Sequence, residues 1–167
     1  KEHVAAACQK SLDDLGLAYF DLYLVHFPIA LQYVDFADRY PPEWIFDPAA
    51  EPPQMQRDRV PLNETWAAME ALVDSGLARQ IGVCNYSTGL LHDLMSYARI
   101  KPAMLQIESH PYLTQEALIR TAHEYAMAVT AFSPLGAASY LELDMAEAQE
   151  SVLEQAAVLA IAERLNV

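Results

Sequence analysis

The sequence is short of most features that would place it in a class at a glance. It has only two cysteines, Cys8 and Cys84, in 167 residues. They form neither a CxxC pair nor a metal-ligand spacing, so neither a disulfide framework nor a metal site is expected, and two reduced thiols fit a cytoplasmic protein. Basic residues are scarce: 10 Lys and Arg stand against 23 Asp and Glu, a formal net charge of −13. That balance repels the phosphates of nucleic acid and the headgroups of anionic membranes, so neither is an expected partner. No apolar run approaches the roughly 20 residues needed to cross a bilayer. The opening KEHVAAACQK lacks the long apolar segment of a secretory signal. Low-complexity tracts are absent too. With 53% hydrophobic and only 20% charged residues, the chain can build the core of one ordinary domain rather than stay disordered. It opens on Lys1, and its last helical pattern simply stops at Val167, so a piece cut at both ends is expected.

What is present is a repeating pattern. Val4, Ala7, Cys8, Ser11, Leu12 and Leu15 follow helical spacing, with Gly16 as the stop. Phe20–Phe27 is a short β-forming run, apolar on both faces, as a strand buried on both sides of a parallel sheet would be. Residues 29–61 are rich in proline and aromatics and have no period; the stretch is too long for a passive connection, which predicts a functional loop rather than disorder. Leu62–Ser75 is a predicted helix, with Trp66, Met69, Leu72 and Val73 on one face and Gly76 after it. Then strands are expected at Arg79–Cys84, Ala103–Ile107 and Ala128–Phe132, and helices at Thr88–Arg99, Thr114–Tyr125 and Val152–Leu165. Strands alternating with helices predict βαβ units and a parallel sheet.

In parallel α/β folds, ligands bind at the carboxyl ends of the strands. The four predicted strands deliver there His26, then Cys84 and Asn85, then Gln106 and Glu108, then Phe132 and Ser133. An imidazole, two carboxamides and an aromatic are not what core packing needs. They suit a flat ligand that bears an amide and phosphates. These residues by themselves specify no reaction.

Four segments carry a resemblance: LYLVHFP (Leu22–Pro28), IGVCNYS (Ile81–Ser87), KPAMLQIESHPYL (Lys101–Leu113) and AFSPLG (Ala131–Gly136). In this order and spacing, and with Trp66–Gly76 between them, the chain resembles the aldo-keto reductase superfamily over nearly its whole length. The HFPIA run followed by Tyr40–Pro42 is most like the D-xylose (aldose) reductase branch. The resemblance implies a (β/α)8 TIM-barrel fold, here an incomplete barrel of about four consecutive β/α units, with residues 1–167 as the central part of a single domain. It also implies hydride transfer between NADPH (or NADH) and a small-molecule carbonyl substrate.

Carried onto this chain, the resemblance makes His26 the catalytic histidine, which donates a hydrogen bond to the substrate carbonyl oxygen. Asn85 and Gln106 match the pair that holds the nicotinamide carboxamide. Cys84 precedes that asparagine where serine is usual, so a poorer hydrogen bonder stands there. Phe132 matches a ring-stacking position. Ser133, Leu135 and Gly136 match the loop that approaches the cofactor pyrophosphate. Phe27, Trp44 and Phe46 are candidate substrate-pocket residues. His110 is expected to be structural, and His92 and His123 to lie on the surface.

The family's proton-donating tyrosine, with its lysine and aspartate, has no matching motif in this chain; Tyr19, Tyr23 and Tyr40 do not sit in one. The chain by itself is therefore expected to have negligible reductase activity, and its two open sheet edges to favour self-association. An alternative expectation is a non-catalytic binding or regulatory protein on the same fold. An unrelated aldolase-like barrel would need a Schiff-base lysine or a metal cluster at the strand ends, and Lys101 precedes its strand.

Overall fold

The computed structural model describes residues 1–40, 46–51, 55–136, 140, 143–145, 147 and 150–167. They form two compact units, residues 1–103 and 104–167.

In the first unit, α1 (Val4–Leu15) buries Cys8 and Leu12, one turn apart on its inner face. It ends as its sequence predicts. Gly16 takes a left-handed φ of 65°, and the Gly16 and Leu17 N–H groups close onto the Asp13 and Leu12 carbonyls. β1 (Phe20–Val25) runs parallel to β2 (Ala78–Cys84), from Phe20 opposite Ala78 to Val25 opposite Val83. Between them α2 (Leu62–Asp74) buries Trp66, Met69, Glu70 and Leu72. α3 (Thr88–Tyr97) starts at Ser87, whose hydroxyl accepts from the Leu90 N–H.

Two expectations are corrected here. β1 is not buried on both faces: Asp21 is exposed and the other five residues are half-buried. Its exposed start is held instead by an ion pair from Arg79 to Asp21, at 2.7 Å. β2 is the buried strand, at Ala78 and from Ile81 to Cys84. Helix α3 stops at Tyr97 rather than Arg99, because the backbone beyond it is captured from elsewhere. The Glu70 carboxylate, in a residue 8% exposed, accepts from the N–H groups of Arg99 (2.7 Å) and Ile100 (2.9 Å).

The long segment 29–61 is closed by backbone pairing. Its two ends pair antiparallel at Leu31 and Arg57. Gln32 donates to Gln56 and Asp58 donates to Ala30, each at 2.9 Å.

In the second unit, β3 (Met104–Glu108) runs parallel to β4 (Ala128–Phe132), from Met104 opposite Ala128 to Glu108 opposite Phe132. Leu105 and Ile107 are buried while Met104, Gln106 and Glu108 are half-buried, so the pleat puts the latter three on the opposite face. α4 (Glu116–Glu124) begins two residues later than predicted, because Gln115 takes a left-handed φ of 55°. The helix predicted over Val152–Leu165 is broken. A 3-10 turn covers Val152–Glu154, Gln155 is extended, and α5 (Ala156–Leu165) follows. No residue of α5 is buried.

Candidate active site at the strand ends

His26 follows β1 directly and is exposed. Its ring lies against Phe27, with centroids 4.3 Å apart and planes at 35°. Asn85 follows β2 in the same way, with a left-handed φ of 60°. Asparagine tolerates that conformation better than most residues. The side-chain amide of Asn85 donates to the His26 backbone carbonyl at 2.9 Å. The structure therefore brings two of the candidates together at adjacent strand ends, and that bond uses one of the two amide hydrogens of Asn85. Cys84, just before, is buried. Burial raises its thiol above the ordinary value, so it stays a neutral thiol and not a nucleophile at neutral pH.

In the second unit, Gln106 stands opposite Thr130 and Glu108 opposite Phe132 in the register of β3 and β4. Neighbours in register share a face, so the carboxamide, the hydroxyl, the carboxylate and the aromatic ring form one patch. The Thr130 hydroxyl donates to the Met104 sulfur at 3.2 Å, which extends the contact along that face. Ser133, immediately after β4, has a left-handed φ of 49°, a costly conformation for serine. Leu135 is 61% exposed. Gly136 has φ 79°, and a Cβ there would stand 2.9 Å from Val152 Cγ2. Only glycine fits that position without a shift.

The pocket candidates divide. Trp44 lies outside the described residues. Phe27 stays beside His26. Phe46 lines a cavity of about 210 Å³ with His3, Leu31, Tyr33, Phe36 and Met55. Tyr33 stacks on His3 with centroids 3.6 Å apart. Ligand pockets run from about 300 to 1,000 Å³, so this cavity is small for one.

Among the remaining histidines, His92 and His123 are exposed. His110 accepts the Tyr112 N–H on Nδ1 at 3.2 Å and has Nε2 3.2 Å from Glu108 Oε1. Glu108 Oε1 also accepts from the Tyr140 hydroxyl at 3.0 Å. That bond raises the Tyr140 phenol above its ordinary value. Sequence reasoning placed Glu108 at a strand end but gave it no role. Its position two residues after Gln106, on the same side of the pleat, was the available signal.

The sequence model of the aldo/keto reductase family matches residues 1–160. A probable NAD(P)H-dependent D-xylose reductase of Aspergillus clavatus is 53% identical over 165 residues, covering 98% of this chain and 49% of its own length. A 4-dihydromethyl-trisporate dehydrogenase of Mucor mucedo is 48% identical over 168 residues, covering 100% of this chain and 51% of its own length. Among solved structures, an aldose reductase from Giardia lamblia matches with a TM-score of 0.81 at 38% identity, over 99% of this chain and 50% of that one. A Bombyx mori aldo-keto reductase in complex with NADP matches with a TM-score of 0.76 at 31% identity, over 99% of this chain and 47% of that one. The chain spans about half the length of the curated relatives it matches. These likenesses agree with the fold class expected from the sequence, four consecutive β/α units of the TIM-barrel family.

Proposed function

Because this chain belongs to the aldo/keto reductase family, we propose that it supplies strand-end residues to an NAD(P)H-dependent carbonyl reductase acting on an open-chain aldose or a related aldehyde. The observation that carries this reading is the bond from the Asn85 amide to the His26 carbonyl. It ties the Asn85 side chain to the His26 backbone at neighbouring strand ends, where α/β folds bind ligands.

The residues present suit the cofactor that the relatives' names indicate. Asn85 and Gln106 each offer both a donor and an acceptor, which a nicotinamide carboxamide needs on its two ends. Phe132 offers a flat face for a ring. Ser133, Leu135 and Gly136 follow β4 in the loop proposed to approach the cofactor pyrophosphate through its main-chain N–H groups. Bound NADPH or NADH would supply the hydride. His26 would hold the substrate for that transfer by donating a hydrogen bond from a ring nitrogen to the carbonyl oxygen, which fixes the reacting carbon in place. A substrate pocket formed with Phe27, Trp44 and Phe46 belongs to the same proposal, as does a cytoplasmic setting, which the free thiols of Cys8 and Cys84 fit.

The 167-residue polypeptide by itself carries no motif for the family's proton-donating tyrosine. Loss of a positioned acid costs about 10²–10⁴-fold in rate, so this polypeptide alone is proposed to have negligible reductase activity. The test uses the protein as its gene encodes it, with D-xylose and an aliphatic aldehyde, following loss of the reduced-nicotinamide absorbance. Turnover is expected, and His26→Ala should lower kcat/KM by about a hundredfold, the scale of a misplaced substrate. Cofactor binding with no turnover on any aldehyde would favour the alternative, a non-catalytic binding protein on this framework.

A further inference from the structure

Glu108 ties three segments of the second unit together. Its Oε1 accepts from the Tyr140 hydroxyl at 3.0 Å and faces His110 Nε2 at 3.2 Å. Its backbone carbonyl accepts from the Gln115 side-chain amide at 3.2 Å. The protonation of His110 follows from its partners. Nδ1 accepts the Tyr112 N–H, so the ring proton sits on Nε2 and points to the carboxylate. The turn carrying His110 is itself closed by reciprocal backbone bonds between His110 and Leu113, at 3.1 and 2.8 Å. The two side chains are largely withdrawn from water, 11% exposed for His110 and 21% for Glu108. A carboxylate is brought this far out of water at a cost, and two donors on one oxygen offset it.

The position of this anchored carboxylate gives it a consequence. Glu108 is two residues after Gln106 on the same face of β3, and it stands opposite Phe132 in register. Movement at Glu108 is therefore movement of the candidate carboxamide-binding and ring-stacking residues. We propose that Glu108 is a positioning residue: locked by His110 and Tyr140, it holds the end of β3 so that Gln106 and Phe132 keep the spacing a nicotinamide ring requires. This rests on the reading of the protein as a nicotinamide-dependent reductase.

The test compares two ligands on the protein as its gene encodes it. One is NADPH; the other is its adenosine bisphosphate half, which lacks the nicotinamide. Binding is followed by quenching of protein fluorescence in the unsubstituted protein and in Glu108→Ala, Glu108→Gln and Tyr140→Phe. Glu108→Ala should weaken NADPH by roughly ten- to a hundredfold, the worth of a hydrogen bond to a charged group, and leave the adenosine half unchanged. Glu108→Gln, which keeps an acceptor oxygen, should restore part of the loss. Tyr140→Phe removes one hydroxyl only and should weaken NADPH by about tenfold, the low end for a hydrogen bond to a charged group; it decides the matter if the alanine variant does not fold. Equal losses for both ligands would mean a general structural defect and overturn the proposal. Unchanged NADPH affinity in the variants would overturn it as well, while leaving the reductase reading intact. Failure of the unsubstituted protein to bind NADPH would overturn both.

Discussion

Residues 1–103 and residues 104–167 hold their candidate functional groups by different means. In the first unit a side chain holds the backbone: the Asn85 amide donates to the His26 carbonyl. The strand pair beneath is accompanied by a large apolar core in which Trp66, Met69, Leu72, Leu91 and Leu94 are all buried. In the second unit side chains do the holding, through Glu108, His110 and Tyr140. Among the described residues its buried apolar ones are fewer, namely Leu105, Ile107, Ala122, Met127 and Val152, and α5 buries none. Geometry at the end of β2 should therefore be sensitive to the core, and geometry at the end of β3 to polar bonds.

The sharpest way to break this contrast is Trp66→Ala. Trp66 is 2% exposed, and its indole N–H donates to the Ile100 carbonyl at 3.1 Å. A loss of about 4 kcal/mol is expected in denaturant unfolding. Next is Glu70→Ala, which leaves the Arg99 and Ile100 N–H groups without their acceptor and should cost about 2–3 kcal/mol by the same measurement. In the second unit Leu105→Ala should cost about 2 kcal/mol. That is the low end of the range for a fully buried leucine, because a thinner core collapses more readily around the gap. A loss from Leu105→Ala that exceeded that from Trp66→Ala would break the contrast. Tyr97→Phe should act in the opposite direction. The Tyr97 hydroxyl is buried with no hydrogen-bond partner among the described residues, so its removal should gain about 1 kcal/mol. Leu159→Ala on α5, where the side chain is half exposed, should change stability by less than about 0.5 kcal/mol.

Much of the fold was legible because its signals are local. Gly16 stops α1 by its own left-handed backbone, and Ala128–Phe132 is a strand over the residues its apolar run predicts. The misreadings share a physical cause. Nothing near Tyr97 in the sequence announces that Glu70, 29 residues away from Arg99, will capture the backbone beyond α3. No glycine or proline marks the break at Gln155. The burial of β1 was overestimated because periodicity reports which side chains are apolar, not which have neighbours to cover them. The candidate site was legible as residue types at strand ends. Its bonds were not: Asn85 and His26 meet across 59 residues of sequence, and Tyr140 reaches Glu108 across 32. The long segment 29–61 was read as functional from its length, but the pairing of Leu31 with Arg57 has no local signature.

The central claim is that the strand-end amides serve one nicotinamide cofactor. It is tested most directly by following the side-chain amide resonances of Asn85 and Gln106 during a titration with NADPH. Both signals should move together and saturate at one shared concentration. A shift of only one of them, saturation at two different concentrations, or no shift in either would contradict the account.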